Sequence, residues 1–349
     1  MKNSKKDIRR LSKKELQEFF ISKNLPKYKG SQVYEWLWKK GSHDFNLMTN
    51  LSFKDRDILK DNFDIKHINI DLHQKSLDGT IKNAVKLYDN LLVESVLIPT
   101  KKRTTACVSS QVGCSLDCTF CATSSLKRIR NLNADEIYDQ VILMSQQSKN
   151  YFNRPLSNIV FMGMGEPLLN YNNVLTAIRK INEPEGLGIS SRRITLSTSG
   201  IPKMIKKMAD EDVKFRLAVS LHSARQSVRE KIMPFAKKFP LEELLDSLNH
   251  WFLKTRKKVT FEYVIWEGVN DKKIDINALV KFCKMIPSKV NLIQYNPIKN
   301  SLMKQASEES INLYVGALSD AKIKVTYRRS RGQDIDAACG QLANKLDLA

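Results

Sequence analysis

Three cysteines, Cys114, Cys118 and Cys121, stand at CxxxCxxC spacing inside "QVGCSLDCTFCAT". Three thiolates can hold three irons of a 4Fe-4S cube and leave the fourth iron with open positions. Structural zinc is the competing reading, but it normally closes its shell with four ligands, often as two close pairs, and only one close pair occurs here. The other cysteines are Cys107, seven residues ahead of the cluster, Cys283 in "LVKFCKM" and Cys339 in "DAACGQL". A cysteine thiolate is a strong nucleophile at neutral pH, and Cys339, beside the turn-permitting Gly340, reads either as such a thiol or as a buried core residue. On pattern alone Cys107 reads equally as a strand cysteine packing a sheet interior, and Cys283 as a helix core residue. Six cysteines, four of them between 107 and 121, are too sparse and clustered for a disulfide framework.

The elements that position these groups follow from hydrophobic periodicity. Apolar strands are expected near 104–109, 158–162, 193–197, 216–221, 258–264 and 289–295, with amphipathic helices between them, and a further strand near 322–328. Six βα units imply an α/β fold with a parallel sheet, best met by a partial (βα)6 TIM-like barrel over 101–337. Chemistry in such folds sits at the carboxyl ends of strands, where "GMGEP", "STSG", "SLH" and "YNP" fall. Ahead of the barrel, 1–75 reads as short helices. Ser12 and Glu15 make a capping box opening one through about 23, and a second spans about 31–40 with Val33, Trp36 and Leu37 on its inner face. Residues 76–100 read as a hairpin connector turning at Asp78-Gly79, and 338–349 as a tail carrying Cys339. Glu94 interrupts the apolar run "LLVESVLIP"; it reads either as an outward residue of an edge strand or as a buried proton acceptor.

Lys and Arg number 58 against 37 Asp and Glu, a net charge of +21 that favours a polyanionic partner, nucleic acid first. Basic clusters at 101–103, 127–130, 192–193, 254–258 and 328–331 adjoin the expected mouth of the barrel and could hold phosphates. No run approaches the roughly 20 apolar residues of a membrane span, and no apolar run of a signal peptide follows the basic start. A cytoplasmic protein without a membrane partner is expected.

The spacing, with Phe120 just before the third cysteine, resembles the radical S-adenosylmethionine (SAM) superfamily. "CVSSQVGCSLDCTFCAT", "FMGMGEPLLN", "RRITLSTSG", "VSLH" and "DIDAACGQL" together resemble the RlmN family of RNA methyltransferases over nearly the whole chain. The resemblance implies a 4Fe-4S cluster on Cys114, Cys118 and Cys121 whose open iron is chelated by SAM. It implies SAM contacts at Gly165, Glu166, Ser197, Ser220, Leu221, His222 and Asn296. It further implies methylation of an adenine carbon in 23S rRNA and in a tRNA anticodon loop, with Cys339 carrying the methyl group, Glu94 taking the ring proton, and Cys107 resolving a protein–RNA adduct as a disulfide. The adenine would have to leave its stack to react. A flavodoxin or ferredoxin would supply electrons to a monomeric enzyme. The related Cfr type, which methylates C8, and glycyl-radical activating enzymes, which share the cluster but have no use for Cys339, are the alternatives.

Overall fold

The computed structural model describes residues 5–299 and 301–344; of the tail read from 338 to 349, residues 345–349 therefore lie outside it. One ten-stranded sheet organises the chain: β1 (Asn69–Lys75), β2 (Ile81–Lys86), β3 (Leu92–Pro99), β4 (Thr104–Cys107), β5 (Asn158–Phe161), β6 (Ile194–Thr198), β7 (Arg216–Ser220), β8 (Val259–Val264), β9 (Ser288–Ile293) and β10 (Lys324–Arg328). Each strand neighbours its predecessor in the chain. β1 to β4 pair antiparallel, and from β4 onward every pair is parallel. β1 and β10 are the two edges, so the sheet is an open, partial barrel.

Two features differ from the sequence expectation. The strand at 324–328 extends the same parallel sheet, making seven parallel strands instead of six. The segment read as a connector supplies β2 and β3 of the sheet, and their neighbour β1 lies wholly inside the stretch read as helical. β1 was hidden because its sequence, NIDLHQK, is polar and mostly exposed along an edge.

Helices α4 (Ala134–Phe152), α5 (Tyr171–Asn182), α6 (Pro202–Asp210), α7 (Gln226–Ile232), α8 (Leu241–Thr255), α9 (Lys273–Lys284) and α10 (Glu308–Asp320) cross between the parallel strands. The sheet is consequently covered, and all six residues of β8 are buried. The start of α4 is fixed by a capping box between Asn133 and Glu136, and Pro202 occupies the first turn of α6.

Three helices precede the sheet, α1 (Lys13–Ser22), α2 (Tyr28–Trp38) and α3 (Phe53–Asn62). The Ser12–Glu15 capping box is present. In the second helix Gly30, Val33, Tyr34, Leu37 and Trp38 are buried, whereas Trp36 lies on the flank with Lys40 Nζ 3.6 Å from its ring centroid. This helical unit is fastened to α4 by Arg9, whose guanidinium lies 2.7 Å from Asp139 and 3.3 Å from Asp135, and by Trp38 packed edge-on to Tyr138. Among the described residues no helix is long and apolar enough to cross a membrane.

Candidate active site

The cysteine loop leaves the carboxyl end of β4. Gly113 opens it at φ +74°, and a Cβ there would stand 2.4 Å from Lys127 O, so only glycine permits the turn. The loop is then held by its own main chain. Cys118 N–H donates to Leu116 O (2.8 Å), Cys121 N–H to Cys118 O (3.2 Å), and Ser124 Oγ to both Cys118 O and Cys121 O (2.7 and 2.6 Å). All three thiols are pushed up by burial; for Cys118 the neighbouring Cys121 and Cys114 add to the rise, and Cys114 reaches about 11. Among the described residues no three His, Cys, Asp or Glu side chains gather as ligands of a single metal ion do. A cavity of about 390 Å³ opens against the loop, lined by Asp117, Cys118, Cys121, Ser124, Ile298 and Ser301.

The strand-end motifs converge beside this loop. Gly165 adopts φ +92° with Gln111 packed where a Cβ would project. Glu166 is buried, and its carboxylate already accepts from Leu168 N–H (3.0 Å), Thr198 Oγ1 (2.7 Å) and Ser199 N–H (2.8 Å). Burial raises its pKa, while these donors oppose the rise. It ties "GMGEP" to "STSG" through two bonds, from Thr198 and Ser199, a positioning role that the sequence did not reveal. Ser197 and Ser220 are half-buried near the ends of β6 and β7. Leu221 is buried, with its carbonyl accepting from Arg229.

His222 has φ +54° and is buried against Phe120 and Trp266, with ring centroids 4.7 and 5.8 Å away. Its Nδ1 accepts from Val264 N–H at 3.2 Å, which leaves the ring proton on Nε2. Burial, reinforced by the Arg229 charge, lowers its pKa to about 3, so the ring is neutral at physiological pH. Asn270, which sequence reasoning missed, bridges the His222 and Val264 carbonyls through one amide group (2.7 and 2.9 Å).

The tail closes over this assembly. Gly340 O accepts from Ala122 N–H (2.7 Å) and Leu342 O from Thr123 Oγ1 (2.6 Å), joining tail to cysteine loop. Asn296 Nδ2 donates to Cys339 O (3.1 Å), and its Oδ1 accepts from Gln333 (2.8 Å). Cys339 retains solvent access, yet the bulk of protein around its sulfur, then Cys121, push the thiol up to about 11. Cys107 is buried and pushed up to about 12, first by burial and then by the nearby Cys339; Arg328 opposes the rise at both thiols. All six cysteines are free, with no disulfide between Cys107 and Cys339. Cys283 lies in the core.

Glu94, on β3, is 1% exposed, so the outward, edge-strand reading is excluded. Its Oε2 accepts from Ala343 and Asn344 N–H (2.7 and 3.1 Å), and the equally buried Lys82 ammonium lies 3.7 Å from Oε1. Neither partner was foreseen. The basic clusters are largely exposed, but several members are engaged: Arg130 by Asp89 and Glu136, Lys254 by Asp210 and Arg328 by Glu262, while Lys257 donates to Val213 O and Arg331 to Pro99 O.

Residues 108–279 match the model of the Radical SAM superfamily, and residues 6–65 match that of the ribosomal RNA large subunit methyltransferase N-terminal domain. The chain is 63% identical over 345 residues to a protein of Flavobacterium johnsoniae named probable dual-specificity RNA methyltransferase RlmN, covering 99% of both. It is 40% identical over 346 residues to the dual-specificity RNA methyltransferase RlmN of Geotalea uraniireducens, covering 99% of this chain and 98% of that one. A crystal structure of a radical SAM methyltransferase from Sphaerobacter thermophilus superposes with a TM-score of 0.91 at 36% identity, over 97% of this chain and 99% of the other.

Proposed function

We propose that this chain, which belongs to the RlmN family of radical SAM RNA methyltransferases, forms 2-methyladenosine in 23S rRNA and in the anticodon loop of tRNA. The observation that carries the reading is a convergence: one tail carries Cys339, bonds to the cysteine loop and to Glu94, and brings Cys339 near Cys107 at the end of β4.

The residues suit the cofactors that membership of the superfamily implies. Cys114, Cys118 and Cys121 would hold a 4Fe-4S cluster, three soft sulfur donors in one loop beside an open cavity. When bound, the cluster supplies the electron that cleaves SAM. Gly165, Ser197, Ser220, Leu221, His222 and Asn296 would surround SAM, with neutral His222 acting only through hydrogen bonds. Glu166 would hold two of the lining turns at a fixed separation.

An adenine C2 and a SAM methyl carbon are both electron-poor, so the methyl group must first pass to a nucleophile. Cys339 suits that role. Its sulfur lies in protein that keeps it protonated at neutral pH, so its proton must leave before methyl transfer, and the Arg328 charge favours that loss. Once the S-methyl group has lost a hydrogen atom to the radical that cleavage of a second SAM would supply, its carbon can bond to adenine C2 and join protein to RNA. The unpaired electron this leaves on the ring would return to the oxidised cluster, and Glu94 removes the ring proton as that electron departs. The Cys107 thiolate then attacks the Cys339 sulfur and breaks its bond to the methylene carbon; that carbon leaves with the electron pair and takes up a proton to become the methyl group, and the resulting disulfide must be reduced before the next turnover. An electron donor of the flavodoxin or ferredoxin class is required.

The test is mass spectrometry of nucleosides after anaerobic reaction of the reconstituted protein with reductant, SAM and unmodified ribosomal RNA or tRNA. 2-Methyladenosine supports the proposal, whereas 8-methyladenosine, or no product from a protein with an intact cluster, refutes it. Cys339→Ala is expected to cleave SAM without methylating RNA, and Cys107→Ala to accumulate a protein–RNA adduct. Clean turnover by either variant removes the role given to that cysteine.

A further inference from the structure

Arg229, on α7, is completely buried. A guanidinium does not shed its proton in a protein, and a buried charge is normally balanced by an opposite one. Its contacts among the described residues are neutral: Ser199 O at 2.7 Å, Leu221 O at 3.3 Å and Met233 Sδ at 2.9 Å. Nε has no hydrogen-bond partner among the described residues.

Each contact leads towards the cysteine loop. Ser199 belongs to the "STSG" turn and Leu221 to "SLH", so one fork pins two of the turns expected around SAM. Met233 packs in the same apolar cluster as Leu116 and Cys118. The loop is also bonded to the end of α7, because Thr119 donates to Ile232 O through both N–H (3.0 Å) and Oγ1 (3.2 Å). Burial lowers the pKa of Arg229 to about 10, a shift that Cys118 opposes when it is a thiolate, as a cluster ligand is.

We propose that the cluster held by Cys114, Cys118 and Cys121 is the missing counter-charge of Arg229, and that Arg229 raises the cluster's reduction potential. This rests on the cluster assignment made above. One electron from a flavodoxin- or ferredoxin-class donor makes the cluster one unit more negative, and a fixed cation in a dry site favours that reduced state. Arg229 neither gains nor loses an electron or a proton. A carboxylate partner would have cancelled most of its field, whereas neutral carbonyls leave the field intact while holding the fork in place. Arg229 is thus a positioning residue for electron entry.

The test uses the full chain, reconstituted anaerobically with iron and sulfide, as wild type, Arg229→Met and Arg229→Lys. Redox titration followed by electron paramagnetic resonance, without SAM or RNA, reads the cluster alone. At a fixed solution potential, the ratio of reduced to oxidised cluster in Arg229→Met is expected to fall at least about tenfold, a shift of about 59 mV for one electron. Arg229→Lys, which keeps the charge, is expected to stay within about threefold of wild type by the same relation. A fully loaded Arg229→Met within about twofold of wild type overturns the proposal. If that variant cannot fold or hold a cluster, Arg229→Gln decides in its place: a fall of at least about tenfold supports the proposal, and a ratio within about twofold of wild type overturns it. A wild-type protein lacking any iron–sulfur signal instead defeats the functional reading itself.

Discussion

Replacing Lys82 with methionine leaves Glu94 as a buried carboxylate without its cation. The ammonium lies 3.7 Å from Oε1, which has no hydrogen-bond donor, while Oε2 is served by the Ala343 and Asn344 amides. Breaking one side of a buried ion pair typically costs about 3–5 kcal/mol, because the surviving charge has lost both water and partner. The lower part of that range is expected here, since the tail amides still stabilise the carboxylate. With an unfolding entropy of about 2.1 cal/mol/K per residue, such a loss lowers Tm by about 4–5 °C in a chain of 349 residues. Glu94→Gln, which strands the ammonium instead, is expected to cost at least as much. The double variant Lys82→Met/Glu94→Gln removes both charges and is expected to recover most of the loss, since a neutral replacement of a buried pair is often near-neutral in stability. Scanning calorimetry of the four proteins at neutral pH measures this cycle. Single variants that melt within about 1 °C of wild type, or a double variant whose loss equals the sum of the singles, refute an ion pair that organises the Glu94 site.

Gly113→Ala is expected to lose the bound iron–sulfur cluster, measured as iron per chain after reconstitution, because a Cβ would meet Lys127 O at 2.4 Å in a backbone at φ +74°. Iron content equal to wild type would show that the loop tolerates another turn. His222 keeps a folded pKa of about 3, below the ordinary value of 6.5, so between these values the unfolded chain binds a proton that the folded chain refuses. Its contribution to stability is therefore complete above about pH 6.5 and declines as pH falls towards 3. Chemical denaturation across that window is expected to be flatter in His222→Gln, and parallel pH profiles would disprove the assignment. Asn296→Ala removes the bond to Cys339 O and the acceptor for Gln333, so the tail should open more readily. Alkylation of Cys339 is expected to accelerate about fivefold, the equivalent of one ordinary hydrogen bond, and an unchanged rate would mean that other contacts alone hold the tail.

What could be read in the sequence depended on how far apart the cooperating groups lie. The parallel strands were legible within about two residues because covered strands are nearly continuous apolar runs, as in Val259–Val264. The cysteine loop was legible because its three sulfurs belong to one short segment. β1 was missed because a polar edge strand has no such run, and its pairing with β2 depends on main-chain bonds that any residue can make. Arg229 and Lys82 gave no signal for a related reason. A single basic residue on an amphipathic helix or a strand is usually solvated, and only the tertiary fold buries these two. Of the stripe read on the second helix, Val33 and Leu37 are buried and Trp36 packs half-buried against the core from its rim. The buried ridge runs through Gly30, Val33, Tyr34, Leu37 and Trp38, and three of those five positions carry glycine or aromatic residues that also occur on surfaces.

The tail contacts explain why the remaining part of the site could not be read at all, and they bear on how it works. Ala343 and Asn344 meet Glu94 through backbone N–H groups, and Gly340 and Leu342 meet the cysteine loop through backbone carbonyls. Main-chain atoms are common to every residue, so no side-chain pattern announces such contacts. They have a mechanistic consequence, however. In the closed arrangement the carboxylate expected to accept the adenine proton is engaged by the segment that carries the acceptor cysteine, so one oxygen of Glu94 is unavailable while the tail is seated. Under the proposed roles, Oε2 of Glu94 is released only when the segment that carries Cys339 moves, so the two groups are linked through the tail. Because the two amides bond to a charged acceptor, each is worth about 1.5–3 kcal/mol, so the uncharged Glu94→Gln variant should hold the tail less firmly. Limited proteolysis of the tail is expected to be faster in Glu94→Gln than in wild type. Equal rates would uncouple the two groups and require that Cys339 reach its substrate without releasing the base.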